Sequence, residues 1–88
     1  MSNVLGMDIN AARDLVRVMN SDADTINQLS ARLTQQLEAT TWYGSDANAF
    51  RSDWNGQYVP ALARITEALV ANATALAQQA DDQERASS

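Results

Sequence analysis

The sequence predicts an all-α fold, an antiparallel helix-turn-helix hairpin, and three observations carry that prediction. Of 88 residues, 40 are hydrophobic and 16 of those are alanine, the best helix former and a poor filler of cores, while strand-favouring residues are sparse. From Asp8 to Thr40 there is neither Pro nor Gly, which allows one helix of about 33 residues and about 50 Å. A glycine-containing turn, Thr41-Trp42-Tyr43-Gly44-Ser45, then stands midway along the chain before a second helical pattern.

Asp8 is placed to cap the first helix, its carboxylate accepting from free N–H groups of the first turn. Ala12, Met19, Ile26, Leu33 and Thr40 recur every seventh residue, with Leu15, Asp22, Leu29 and Gln36 on one side and Val16, Ala23, Ser30 and Leu37 on the other. So broad a face can touch two neighbours at once. Asp22 interrupts it, and reads either as solvated at its edge or as a register device that pairs with an arginine on a partner and selects a heterodimer.

In the turn, Gly44 can take the left-handed conformation that ends a helix, and Ser45 or Asp46 can cap the next one. The shortness of the connection makes the two helices antiparallel neighbours. The second helix is expected from about Asp46 to Asp82, with Leu62, Leu69 and Leu76 at heptad spacing, flanked by Tyr58, Ile65 and Asn72 and by Val59, Thr66 and Ala73. Phe50 and Trp54, four residues apart, share a face beside the turn, as packing residues or as an exposed stacking pair. Pro60 removes a backbone hydrogen bond and crowds the carbonyl of Gly56. A kink or loosened turn between Gly56 and Pro60 is expected, with a break into three helices as the alternative. Residues 83–88 read as a polar tail that frays.

Composition removes most chemistry. The chain has no Cys, His or Lys, and so no thiol nucleophile, imidazole base, Schiff-base lysine or His- or Cys-based zinc site; no catalytic residue, metal or cofactor is expected. Asp46 and Asp53 stand two helical turns apart, about 10 Å of rise, and suit capping and solvation better than acid-base work. Asp81, Asp82 and Glu84 lack the alternating ligands of a calcium loop. The triplet Asn72-Ala73-Thr74 matches a glycosylation acceptor but falls inside a helix. With a formal charge of -5 and six scattered arginines as its only cations, the chain offers nucleic acid and anionic lipid no basic stripe. Neither a secretory signal nor a membrane-spanning run is present.

A lone hairpin buries only the strip between its helices, and 24 large apolar side chains exceed what that strip can cover. The expectation is a dimer, homo or hetero, packed as a four-helix bundle. Leu15, Met19, Ile26, Leu29, Leu33, Leu37, Leu62, Ile65, Leu69 and Leu76 are the candidate hairpin and dimer interface. Trp42 serves as a plug of the hairpin end or as an interface anchor.

A chain of this length, with Trp42-Tyr43-Gly44 near its middle between two long helices, Phe50 eight residues after Trp42 and the repeating Leu62, Leu69 and Leu76, resembles the WXG family of small type VII secretion substrates, the early-secreted-antigen-like proteins. The resemblance covers nearly the whole chain. It implies a helical hairpin that pairs with itself or with another WXG-type hairpin, and is exported folded, without signal cleavage, by an ATPase-driven type VII translocase. It also implies Trp42 and Gly44 as the secretion motif, with Tyr43, Phe50 and Trp54 as turn and packing aromatics. In that family a tail Tyr, followed four residues later by Asp or Glu, completes the export signal beside the partner's turn. Here Gln83 and Ser87 stand at those positions, which implies a partner that supplies the tail signal or a branch that uses another one. The residues also allow a second reading, an intracellular helical adaptor that scaffolds a larger complex.

Overall fold

The computed structural model describes residues 7–87, and it contains helices and one turn between them, with no strand among the described residues. Helix α1 spans Ile9–Ala39, α2 spans Ser45–Asp53, and α3 spans Val59–Ser87. A π-helical turn, Trp54–Tyr58, joins α2 to α3 without a break, so residues 45–87 form one continuous helical rod antiparallel to α1. The hairpin measures 64 × 17 × 13 Å. The first six residues and Ser88, the last residue of the expected tail, lie outside the described residues.

Asp8 caps α1 as its chemistry requires: the backbone is extended there and the carboxylate accepts from the Ala11 N–H at 3.0 Å. Thr40 ends the helix. Its backbone turns extended, its hydroxyl donates to the Gln36 carbonyl at 2.6 Å, and its N–H reaches the Leu37 carbonyl at 3.4 Å. Gly44 therefore does not terminate α1, as the sequence suggested, but stands as the N-cap residue of α2 with φ 120° and ψ 175°. Its carbonyl accepts from the Asn48 N–H at 3.0 Å, and Ser45 and Asp46 lie inside the first turn rather than capping it.

Pro60 explains the π turn. An α-helix would need an N–H at position 60 and would set the Gly56 carbonyl against the proline ring. The chain instead widens by one residue over Trp54–Tyr58, where the Val59 N–H bonds back to the Trp54 carbonyl five residues earlier, and Pro60 falls in the first turn of α3. The loosened turn expected between Gly56 and Pro60 is this one.

The seam between α1 and α3 is built chiefly from small residues. Ala23 is 2% exposed and Ala73 and Ala80 are 0% exposed, with Ala12, Thr66 and Gln83 also buried. Leu37 and Trp54 are the large side chains that bury beside the turn. Small side chains let two helix backbones approach closely, and this turns the Val16, Ala23, Ser30 and Leu37 side of α1 inward. Along α3 the inward positions are Thr66, Ala73 and Ala80. Leu62, Leu69 and Leu76 lie half-buried at the border of the seam.

At the open end, Arg13 donates to Glu84 at 2.6 Å and lies 3.3 Å from Asp81. Gln83 is buried in this stretch, and the helix continues through the residues expected to fray, as far as Ser87.

Candidate functional site

Two surfaces stand out, one at the closed end of the hairpin and one along its side. At the closed end α1 has no basic residue in its last turn to meet its free carbonyls. Arg51, reaching back from α2, supplies that charge. Its guanidinium donates to the carbonyls of Trp42 at 2.7 Å, Thr40 at 3.0 Å and Leu37 at 3.3 Å. The same group lies 5.7 Å from the centroid of the Trp42 ring, within cation–π range. One side chain thus ties the end of α1 and the turn to α2.

Behind the turn runs a ladder of rings. Trp42 to Phe50, Phe50 to Trp54 and Trp54 to Tyr58 are separated by 6.1, 6.4 and 6.3 Å between centroids. The Trp54 indole N–H donates to the Thr34 hydroxyl at 2.9 Å, and that hydroxyl donates in turn to the Ser30 carbonyl at 2.8 Å. Trp54 is therefore a satisfied core residue. Trp42 and Phe50 remain partly uncovered, and Tyr43, outside the ladder, is 85% exposed. Gly44 holds this turn through its backbone. Its φ of 120° lies in the region that favours glycine, whereas a Cβ there would meet nothing within 4 Å.

The second surface is the side of the hairpin where the border residues meet the outward apolar ones. Leu15, Val18, Leu29 and Leu33 of α1, Tyr58 of the π turn and Ile65 of α3 are exposed, while Met19, Ile26, Leu62, Leu69 and Leu76 are half-buried. Of the ten interface residues expected from sequence, only Leu37 is buried within the hairpin. A groove of about 430 Å³ lies between Ile26, Leu29, Leu33, Trp54 and Leu62, with Arg32 and Gln36 on its lining. A second opens toward the other end between Leu15, Met19, Asn72 and Leu76. Asp22, which lies along α1 between the residues that line the two grooves, is exposed.

The polar candidates do not converge. Asp46 is exposed in the first turn of α2, and Asp53 accepts from the Gln57 amide at 3.3 Å. The Asn72 amide donates to the Ala68 carbonyl of its own helix at 2.7 Å. Ser87 donates to the Gln83 carbonyl at 2.9 Å, and Arg85 pairs with Asp82. No helix among the described residues is long and apolar enough to cross a membrane.

Sequence reasoning missed Arg51 and Thr34. The available signal for Arg51 was that α1 ends without a basic residue while an arginine follows nine positions after Trp42. No protein-family model, curated protein or solved structure matches the chain.

Proposed function

We propose that the chain is a WXG-type substrate of a type VII secretion system, or the co-secretion partner of one, exported as a folded dimer of helical hairpins and without enzymatic activity. The observation that carries this reading is the Trp42-Tyr43-Gly44 turn, held at the tip of a long hairpin by Arg51, with Trp42 and Tyr43 exposed. A rigid aromatic patch at the end of a rod suits recognition by a larger machine, because rigid aromatic anchors lose little freedom on docking.

The uncovered apolar side supports the second half of the reading. A contiguous stripe of leucine, isoleucine and tyrosine along one side of a hairpin is a docking face, and a second hairpin laid on it completes a four-helix bundle. Gln83 is buried and Ser87 is bonded to its own helix. A partner that carries the tail signal, or recognition through the turn alone, meets that departure from the family pattern.

The test is export from a bacterium with a type VII apparatus, measured in the culture supernatant against a cytoplasmic lysis marker. Release that depends on the translocase ATPase, and is lost on Trp42→Ala while circular dichroism still shows the helical hairpin, is the expected result. Equal retention with and without the ATPase would overturn the proposal and favour an adaptor that stays in the cell.

A further inference from the structure

Two series of buried residues run along the rod of residues 45–87. In α2 and the π turn they are Ala47 and Trp54, and in α3 they are Thr66, Ala73 and Ala80, each series spaced by seven. Seven residues are close to two turns of an α-helix, so each series keeps to one side of its own helix. The two series do not fit one regular helix. From Trp54 to Ala73 is a step of nineteen positions, whereas about five α-helical turns take eighteen residues. An unbroken α-helix would therefore set Trp54 in line with Asn72, which is exposed, and about 100° away from Ala73.

Trp54 nevertheless faces α1 in the hairpin, buried and with its indole N–H donating to the Thr34 hydroxyl at 2.9 Å. The π turn supplies the difference. By bonding the Val59 N–H to the Trp54 carbonyl five residues back, where an α-helix reaches back four, it takes up one residue more than an α-helical turn. We infer that this turn is a register adjuster: it absorbs the one surplus residue between the two buried series and so fixes the angle about the rod axis between α2 and α3. The rings of Trp42, Phe50 and Trp54 are in contact at 6.1 and 6.4 Å between centroids. The angle of the whole aromatic end against the leucines of α3 is thus set by that residue.

Pro60 and Trp54 have separate parts in this device. Pro60 has no N–H to offer the carbonyl four residues before it, and so decides where along the rod the surplus is placed. Burial of Trp54 decides that it is kept. Relaxation to a regular α-helix would turn a large buried ring and its bonded indole out of the seam, in exchange for one backbone hydrogen bond. The widened turn itself is cheap, because Asn55, Gly56 and Gln57 are exposed and water reaches the backbone there.

The experiment compares variants of the full chain at one dilute concentration, by thermal unfolding under circular dichroism and by the nuclear Overhauser contact between the Trp54 indole proton and the Thr34 side chain. Pro60→Ala alone should keep that contact, because the seam still requires the extra residue in the turn. Pro60→Ala with Gln57 deleted removes the surplus. It should keep the contact within a continuous α-helix and melt at least as high as Pro60→Ala alone. Deletion of Gln57 with Pro60 retained should melt below that doubly changed chain, since the proline then falls inside an α-helix. Pro60→Ala with one alanine inserted after Gln57 leaves two residues in excess, and should lose the contact and melt about 10 °C or more below its parent. A Pro60→Ala chain that stays helical but loses the contact would make the proline the sole cause of the turn and overturn the inference. A doubly changed chain that unfolds or loses the contact would also overturn it, as would an insertion variant as stable as its parent.

Discussion

Arg51 of α2 and Trp42 of the turn are joined twice: the guanidinium donates to the Trp42 carbonyl at 2.7 Å and lies 5.7 Å from the centroid of its ring. The contact orients the indole at the hairpin tip and answers the negative end of α1 with a cation, since that helix carries none of its own in its last turn.

Replacing Arg51 by Ala removes three charged hydrogen bonds at a partly exposed site, which costs about 1–2 kcal/mol. Arg51→Lys recovers little of that, because an ammonium cannot fan across three carbonyls as a guanidinium does. Thermal unfolding followed by far-ultraviolet circular dichroism reads the effect, at about 4–8 °C per kcal/mol for a chain of this size. A Lys variant as stable as wild type would show that the charge alone matters.

Two glycines should respond with opposite sign. Gly44 holds φ 120° in open space, so Gly44→Ala strains the backbone by about 1–3 kcal/mol without any clash. Gly56 lies in the π turn, where a Cβ also meets nothing within 4 Å and no positive φ is involved. Gly56→Ala is therefore expected to stabilise by about 0.5–1 kcal/mol. Urea unfolding of the two variants side by side checks both signs.

The Trp54 indole and the Thr34 hydroxyl form a contact between helices that a double-mutant cycle can isolate. Thr34→Val leaves the indole N–H without its acceptor and costs about 1–3 kcal/mol, more than the same change made in a Trp54→Phe background. Equal losses in the two backgrounds would place the role of Thr34 in its bond to the Ser30 carbonyl instead.

The hairpin was legible in the sequence because its signals are local. Asp8 precedes a long stretch without breakers, and Pro60 stands four residues after Gly56, so a cap and a loosened turn follow from backbone chemistry alone. The rotation of α1 was not legible. A face as broad as that from Leu15 to Leu37 fits a neighbour at either border, and only the position of α3 shows that Ala23, Ala73 and Ala80 take the seam. Nor was the end of α3. Its last residues look solvated one by one, and what holds them is Arg13, 71 positions away from Glu84. The candidate site was half visible: the aromatic turn could be read from its letters, whereas the arginine that fastens it acts across the hairpin end.

The division of labour between alanine seam and leucine face gives the last prediction. At Ala73, fully buried against α1, a larger side chain has no void to occupy, so Ala73→Leu must push the helices apart and costs about 1–3 kcal/mol. Leu29 and Ile65 are 48% and 49% exposed on the uncovered face, where removing methyl groups leaves no cavity in the single hairpin. Leu29→Ala and Ile65→Ala should thus change hairpin stability by less than about 1 kcal/mol when unfolding is measured at concentrations too low for association. In the dimer proposed above, burial of each side chain would contribute about 1.5–3 kcal/mol, and sedimentation at rising concentration would read its loss as a weaker association. If the two face variants instead destabilise the dilute hairpin as strongly as Ala73→Leu does, the leucines support the fold of a single chain and the face is not an interface.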